Sequence, residues 1–349
     1  MRHPATSIRR VVSAAVLLVV LGACPAAAGT HSPTGDPAPQ GMAVFEWYRL
    51  SQVNANVTRE RLWSLRRDGF TVVYADVGEY LEAADQPGSW SQRRQLRELA
   101  SDLRRFVRRA SSLGFTVHAV AGGPNWTAED HRYLGPMTLQ LIADYNSDAD
   151  PDERLTGVQF DIEPYVEQRF WDNMKVSLQD YLWTLRDIVD AYEQVRTQYG
   201  NDGLALGFAI PFWFDGTPEA PAVQFGESPS PRRPPSTSST CCATCPRPTS
   251  ALVEREFDYA SRVADAASGI VVGTEFTEVT PTKLSFWWNG RAAFRQAVAE
   301  LTDAYGGLPQ FRASRWTTPT PTRRSGSTAR PGSGVGRRSV VAPSRSCRW

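Results

Sequence analysis

A period-two apolar run followed by a period-3.6 apolar stripe recurs along this chain, and that alternation constrains the fold more than any other feature. Met42 to Tyr48 reads as a strand, and Val57 to Asp68 as a helix closed by Gly69. Phe70 to Asp76 is a second strand. A long helix follows with Leu96, Leu99, Leu103, Phe106, Val107 and Ala110 on one stripe and arginines opposite, stopping near Gly114. Phe115 to Ala121 is a third strand, followed by a helix over Met137 to Tyr145. A fourth strand ends at Glu163. The next helix carries Leu178, Leu182, Leu185, Val189, Tyr192 and Val195 on one face. Leu204 to Pro211 is a fifth strand, Gly269 to Glu275 a further one, and Arg291 to Tyr305 a helix. Repeated strand-then-helix units require a parallel sheet, because parallel neighbours need a crossover. A doubly wound sheet and a (β/α)8 barrel both satisfy this. A nucleotide-binding sheet usually has a glycine-rich turn after its first strand. Residues 48–54 here contain no glycine. The expected class is therefore α/β, a (β/α)8 TIM barrel over residues 41–312.

Two stretches break the pattern. Residues 228–250 and 313–349 are rich in Arg, Ser, Thr and Pro and have no apolar periodicity. One reading is a Pro-rich linker and a disordered tail. The preferred reading is a frameshift. The chain has two lysines against thirty-six arginines, the bias of a GC-rich gene. Reading GC-rich codons for 234–246 one base earlier gives an amphipathic helix. The same shift over 312–322 gives an apolar strand followed by acids. On this reading the barrel is incomplete, with its sixth and eighth strands lost or garbled. Cysteines 241, 242, 245 and 347 fall in these stretches, so they indicate neither a disulfide framework nor a metal site.

The chemistry concentrates in Leu155 to Tyr165. Val158, Phe160 and Ile162 alternate with Gln159, Asp161 and Glu163, which is strand spacing. One face is apolar; the other carries an amide and two carboxyls. Pro164 ends the strand because it cannot donate to the ladder. Paired acids at the carboxyl end of a strand stand where an α/β barrel keeps its active site. The bland alternative is an arginine ion pair or a helix cap.

Composition narrows the partners. A formal net charge of +1 gives no electrostatic reason to expect nucleic acid. Four histidines scattered at 3, 31, 118 and 131 have no ligand spacing, so neither metal nor cofactor is expected. Arg2, Arg9 and Arg10 precede an apolar run, Val11 to Val20, too short to span a bilayer. Leu21-Gly22-Ala23-Cys24 resembles a bacterial lipobox, which implies a signal peptide over 1–23 and lipidation at Cys24. The rival is ordinary cleavage after Ala26 to Ala28, giving a freely secreted protein. Residues 24–40 then read as a tether to the membrane. The expected product is extracytoplasmic and monomeric.

The segment Gly157 to Tyr165 resembles the strand-4 motif of family 18 glycoside hydrolases, (β/α)8 enzymes whose fourth strand ends Asp-x-Asp-x-Glu. That resemblance implies that Glu163 is the general acid and that Asp161 orients a substrate amide. Gln159 departs from it, standing where the family has its first aspartate. A second pattern competes. Glu275 ends what counts as the seventh strand, and acids ending strands 4 and 7 resemble the retaining glycosidases in which the second acid is the nucleophile. Those enzymes have Asn before the strand-4 glutamate, and here that residue is Ile162.

Other strand ends supply aromatic and polar groups suited to sugars, whose C–H faces stack on rings while their hydroxyls need carboxylates and amides. The chain has eleven tryptophans. The expected contacts are Glu46, Trp47, Asp76, Asn125, Trp126, Tyr165, Trp213 and Trp287. The leading expectation is a glycoside hydrolase acting on a polysaccharide or glycan. The rivals are a non-catalytic carbohydrate-binding barrel and an inactive frameshifted product.

Overall fold

Local signals in the sequence set up the first strands of the computed structural model. The structure describes residues 42–86, 88–199, 204–211, 254, 257–258, 270–275, 286, 288–308 and 311–317, and only the backbone at 274, 275, 291 and 312–317. All of them fall within one unit, Met1–Pro319. The strands are β1 (Met42–Glu46), β2 (Phe70–Asp76), β3 (Thr116–Ala121), β4 (Gly157–Phe160), β5 (Ala205–Phe208), β6 (Ile270–Glu275) and β7 (Phe311–Thr317). The helices are α1 (Leu50–Asn56), α2 (Arg59–Arg67), α3 (Gly78–Ala84), α4 (Trp90–Ser111), α5 (Leu134–Ser147), α6 (Gln168–Asp172), α7 (Met174–Tyr199) and α8 (Gly290–Tyr305).

Side-chain caps start two of the predicted helices. Thr58 accepts from the Arg61 backbone N–H at 3.2 Å and starts α2. Ser89 and Gln92 exchange hydrogen bonds in a capping box that starts α4. Gly69 and Gly114 then turn the chain into β2 and β3 with φ of 98° and 80°, a region that costs other residues free energy.

Every pairing is parallel, in the order β5-β4-β3-β2-β1-β7-β6. This is the cyclic order of a (β/α)8 barrel, with β6 and β7 in its seventh and eighth positions. Among the described residues, no strand fills the sixth position. The eighth is not lost: Phe311–Thr317 crosses the expected boundary at 312/313 and pairs with both β1 and β6. The physical reason is that a ladder is built from backbone groups. Two flanking edges offer unpaired N–H and C=O, and this segment contains no proline before Pro319. Residues 228–250 and 318–349 lie outside the described set.

The sheet has two distinct faces. Val44, Val73, Val117, Val158, Phe160, Leu206 and Phe208 pack outward against Leu62, Leu103, Phe106, Ile142, Leu185 and Ile188 of the helices, forming the main core. Burial of each such side chain is worth about 1.5–3 kcal/mol. Ala43, Phe45, Tyr74, Val120, Ala209 and Val271 form a separate cluster on the inner face.

Candidate active site

β4 places its polar residues by register. Gln159 pairs laterally with Val120 on β3 and Gly207 on β5, so it shares the inner face with Val120. It is fully buried. Its Nε2 donates to the Phe160 carbonyl at 3.2 Å, and its Oε1 is buried without a hydrogen-bond partner among the described residues. Two residues on, the Asp161 N–H donates to the Ala121 carbonyl at 2.9 Å. This extends the β3 pairing past the end of the ladder and fixes Asp161 at the carboxyl end of the sheet. Ile162 is buried in the main core. Glu163 leaves the strand at φ −114° and ψ 68°, and the 3-10 turn Pro164–Val166 follows.

Two buried phenols enclose the acid pair. Tyr165 donates its hydroxyl to Glu163 Oε1 at 2.7 Å. Tyr181, from α7, donates to the Ala209 carbonyl at 3.0 Å. Burial, then the charges of Glu163 and Asp161, push the Tyr165 phenol well above its usual range. Burial followed by Asp161 and Glu163 does the same to Tyr181. Both phenols therefore keep their protons, and both lie within the field of both carboxyls. The β3 and β4 loops are tied together where Arg169 reaches Thr127 Oγ1 at 3.2 Å and pairs with Glu167.

The remaining predicted residues divide. Asp76 closes β2 in register with Val120, so it lies level with Gln159. Its Oδ1 accepts from the Gly78 N–H at 2.8 Å, and burial raises its pKa. Trp47 is 40% exposed and stacks on Phe45 with centroids 5.1 Å apart; this leaves a ring face open beside the inner cluster. Asn125 is half-buried in the 3-10 turn Pro124–Thr127. Glu275 is the last residue of β6, paired with Thr317, and its side chain is outside the described set, as are Trp213, Trp287 and Cys24.

Three residues take other roles than expected. Glu46 does not line the mouth: it is fully buried and bound bidentately by Arg61 of α2, Nε to Oε1 and Nη2 to Oε2, both at 3.0 Å. It follows Phe45 of the inner cluster by one residue, so alternation turns it toward the helices. Burial raises its pKa to about 7 against the opposing pull of Arg61. Trp126 is 6% exposed and packs edge-on against Phe160 at 6.3 Å, inside the main core. Tyr165 is 5% exposed, with its hydroxyl committed to Glu163.

Sequence reading missed Tyr181 and Trp171. The indole of Trp171 donates to the Tyr165 carbonyl at 2.8 Å while the ring stays 47% exposed. A half-exposed Trp beside buried Phe170 was the available signal. Among the described residues, no group of three His, Cys, Asp or Glu side chains could hold a metal ion, and no helix is long and apolar enough to cross a membrane.

No family model matches the chain, and no curated protein matches it. Solved structures do. A family 5 glycoside hydrolase from Prevotella bryantii aligns over 79% of this chain and 88% of its own, at 13% identity and a TM-score of 0.49. A β-glycosidase from Pyrococcus horikoshii aligns over 79% and 83%, at 9% identity and a TM-score of 0.46. A sugar phosphate isomerase/epimerase from Parabacteroides distasonis aligns over 84% and 93%, at 8% identity and a TM-score of 0.42. No residue role is carried over from any of them.

Proposed function

We propose that this chain is a glycoside hydrolase acting on a polysaccharide or glycan, with Glu163 as the proton donor to the glycosidic oxygen. The observation that carries this reading is the acid pair at the carboxyl end of β4, with the Glu163 carboxyl held by a buried phenol at 2.7 Å. Barrel chemistry is built from strand ends on that side. Asp161 would orient a substrate amide or stabilise developing positive charge. Trp47, with its exposed ring, and Asp76 would offer a stacking face and a hydrogen-bonding carboxylate. Glu275 is the candidate second acid. A carboxyl separation of about 5–5.5 Å from Glu163 would favour a Glu275 nucleophile, and a much longer one substrate assistance.

One observation favours a second reading. Gln159 sets a neutral amide on the inner face, buried with its carbonyl oxygen unsatisfied among the described residues, and an amide cannot pass a proton to Asp161. A barrel that binds carbohydrate without cleaving it would have this feature. Incubating the purified chain with cellulose, xylan, mannan and chitin, and measuring both bound protein and released oligosaccharide, separates the two. Release by the wild type but not by Glu163→Gln supports the hydrolase; binding by both with release by neither supports the second reading. We further propose lipid anchoring at Cys24 in an extracytoplasmic protein, which metabolic labelling with a fatty acid, compared with Cys24→Ser, would test.

A further inference from the structure

The Tyr165 side chain is packed with Phe170 and Leu178 in a small apolar cluster of its own. Its hydroxyl is on Glu163 Oε1 at 2.7 Å, and its carbonyl accepts the Trp171 indole N–H at 2.8 Å. Trp171 in turn leans edge-on against Phe170 with centroids 5.2 Å apart. The phenol is thus fixed at the ring, at the backbone and at the hydroxyl, and has little freedom to turn away from the acid.

We propose that Tyr165 is the positioning residue for the Glu163 carboxyl, and that Trp171 fixes Tyr165 in turn. The proposal rests on Glu163 being the reacting acid and adds the group that sets its orientation. A glutamate side chain has three torsions, and a fixed donor on one oxygen selects among them. Oε1 can accept from the phenol in both states of the acid, as carboxylate or as carbonyl, so the contact survives the proton cycle. The transferable proton is thereby assigned to Oε2. Because the phenol is buried beside two carboxyls, it remains a donor throughout. Its donated hydrogen bond favours the ionised form of Glu163. Asp161 from the same strand opposes it, as a like charge does. Tyr181 of α7 contributes a neutral dipole, with its hydroxyl held by Ala209. Arg169 of α6 is paired with Glu167 and bonded to Thr127.

The test is carried out on the full chain with 13C-carboxyl glutamate, the Glu163 resonance being the one lost in Glu163→Gln. In Tyr165→Phe its titration should move to higher pH. On whichever of the four polysaccharides the wild type cleaves, kcat should fall on the order of tenfold to a hundredfold with KM nearly unchanged. Trp171→Phe, which keeps a ring and deletes the indole N–H, should move both readouts the same way by less. Superimposable Glu163 titrations in wild type and Tyr165→Phe would overturn the proposal. Should Tyr165→Phe lose its circular dichroism, Trp171→Phe decides: a shifted titration supports the proposal and an unmoved one overturns it. A titration shifted in Tyr165→Phe, together with a wild type that cleaves none of the four polysaccharides, upholds the Tyr165–Glu163 pair and counts against the hydrolase reading.

Discussion

Gly122→Ala looks harmless by exposure, since Gly122 is solvent-accessible, yet it strikes a backbone contact that holds Asp161 at the end of the sheet. A Cβ built there lies 2.0 Å from the Asp161 carbonyl oxygen, 2.4 Å from its carbonyl carbon and 2.9 Å from its nitrogen. Ordinary contact needs about 3.5 Å between such atoms, so the peptide must retreat by roughly 1.5 Å. Backbone cannot rotate aside as a side chain would. The retreat stretches or breaks the hydrogen bond from Asp161 N–H to Ala121, worth about 1 kcal/mol. Overpacking adds about 1–3 kcal/mol. A total of about 2–4 kcal/mol should lower Tm by several degrees in a domain of this size. A displacement of that order at Asp161 should also cost about a hundredfold in any reaction that depends on its placement. Gly307→Ala is the control, because a Cβ there meets nothing within 4 Å. Calorimetric melts and polysaccharide hydrolysis would be compared across the three proteins. A Gly122→Ala variant that melts and reacts like Gly307→Ala would refute the reasoning.

Two further outcomes follow from buried contacts away from the acid pair. Glu46 has a folded pKa of about 7 against 4.5, so the folded state holds the extra proton between those values. Its stabilising contribution is full below about 4.5 and is lost as pH rises through about 7, on the order of 3 kcal/mol. Wild-type Tm should therefore fall from pH 5 to pH 8 more steeply than that of Glu46→Gln, and parallel curves would contradict the assignment. At Gly135 on α5 a Cβ would lie 2.4 Å from Cγ1 of Ile188 on α7, which is fully buried. Gly135→Ala should cost about 1–3 kcal/mol by overpacking, read as a lower urea midpoint, and an unchanged midpoint would count against the close α5–α7 approach.

The strand-helix alternation was legible because each element carries its own signal. Gly69 and Gly114 stop helices in the sequence and adopt positive φ in the structure. Four residues of the expected α7 stripe, Leu178, Leu185, Tyr192 and Val195, are buried, while Leu182 and Val189 are half-buried and Tyr181 and Ile188 take the buried face beside them. What escaped was information that a linear pattern does not hold. The run Ala43 to Phe45 is apolar on both faces, so it hid which way Glu46 points; only Arg61, fifteen residues on, reveals it. Trp126 reads the same as Trp47 in sequence, but Phe160 draws one into the core while the other stays exposed. β7 was unreadable because its backbone pairs with two strands distant in sequence, β1 and β6, which a linear pattern does not show. α3 and α6 are only 7 and 5 residues long, too short for a helical period to show. The acid pair could be placed at a strand end by alternation alone, whereas the phenols around it come from a turn and a distant helix.

The measurement that bears most directly on the central claim is single-turnover cleavage of a bound polysaccharide by wild type and Glu163→Gln at matched thermal stability. The account predicts a loss of about a hundredfold to ten-thousandfold in the chemical step, with binding retained. Equal cleavage rates in the two proteins would contradict it.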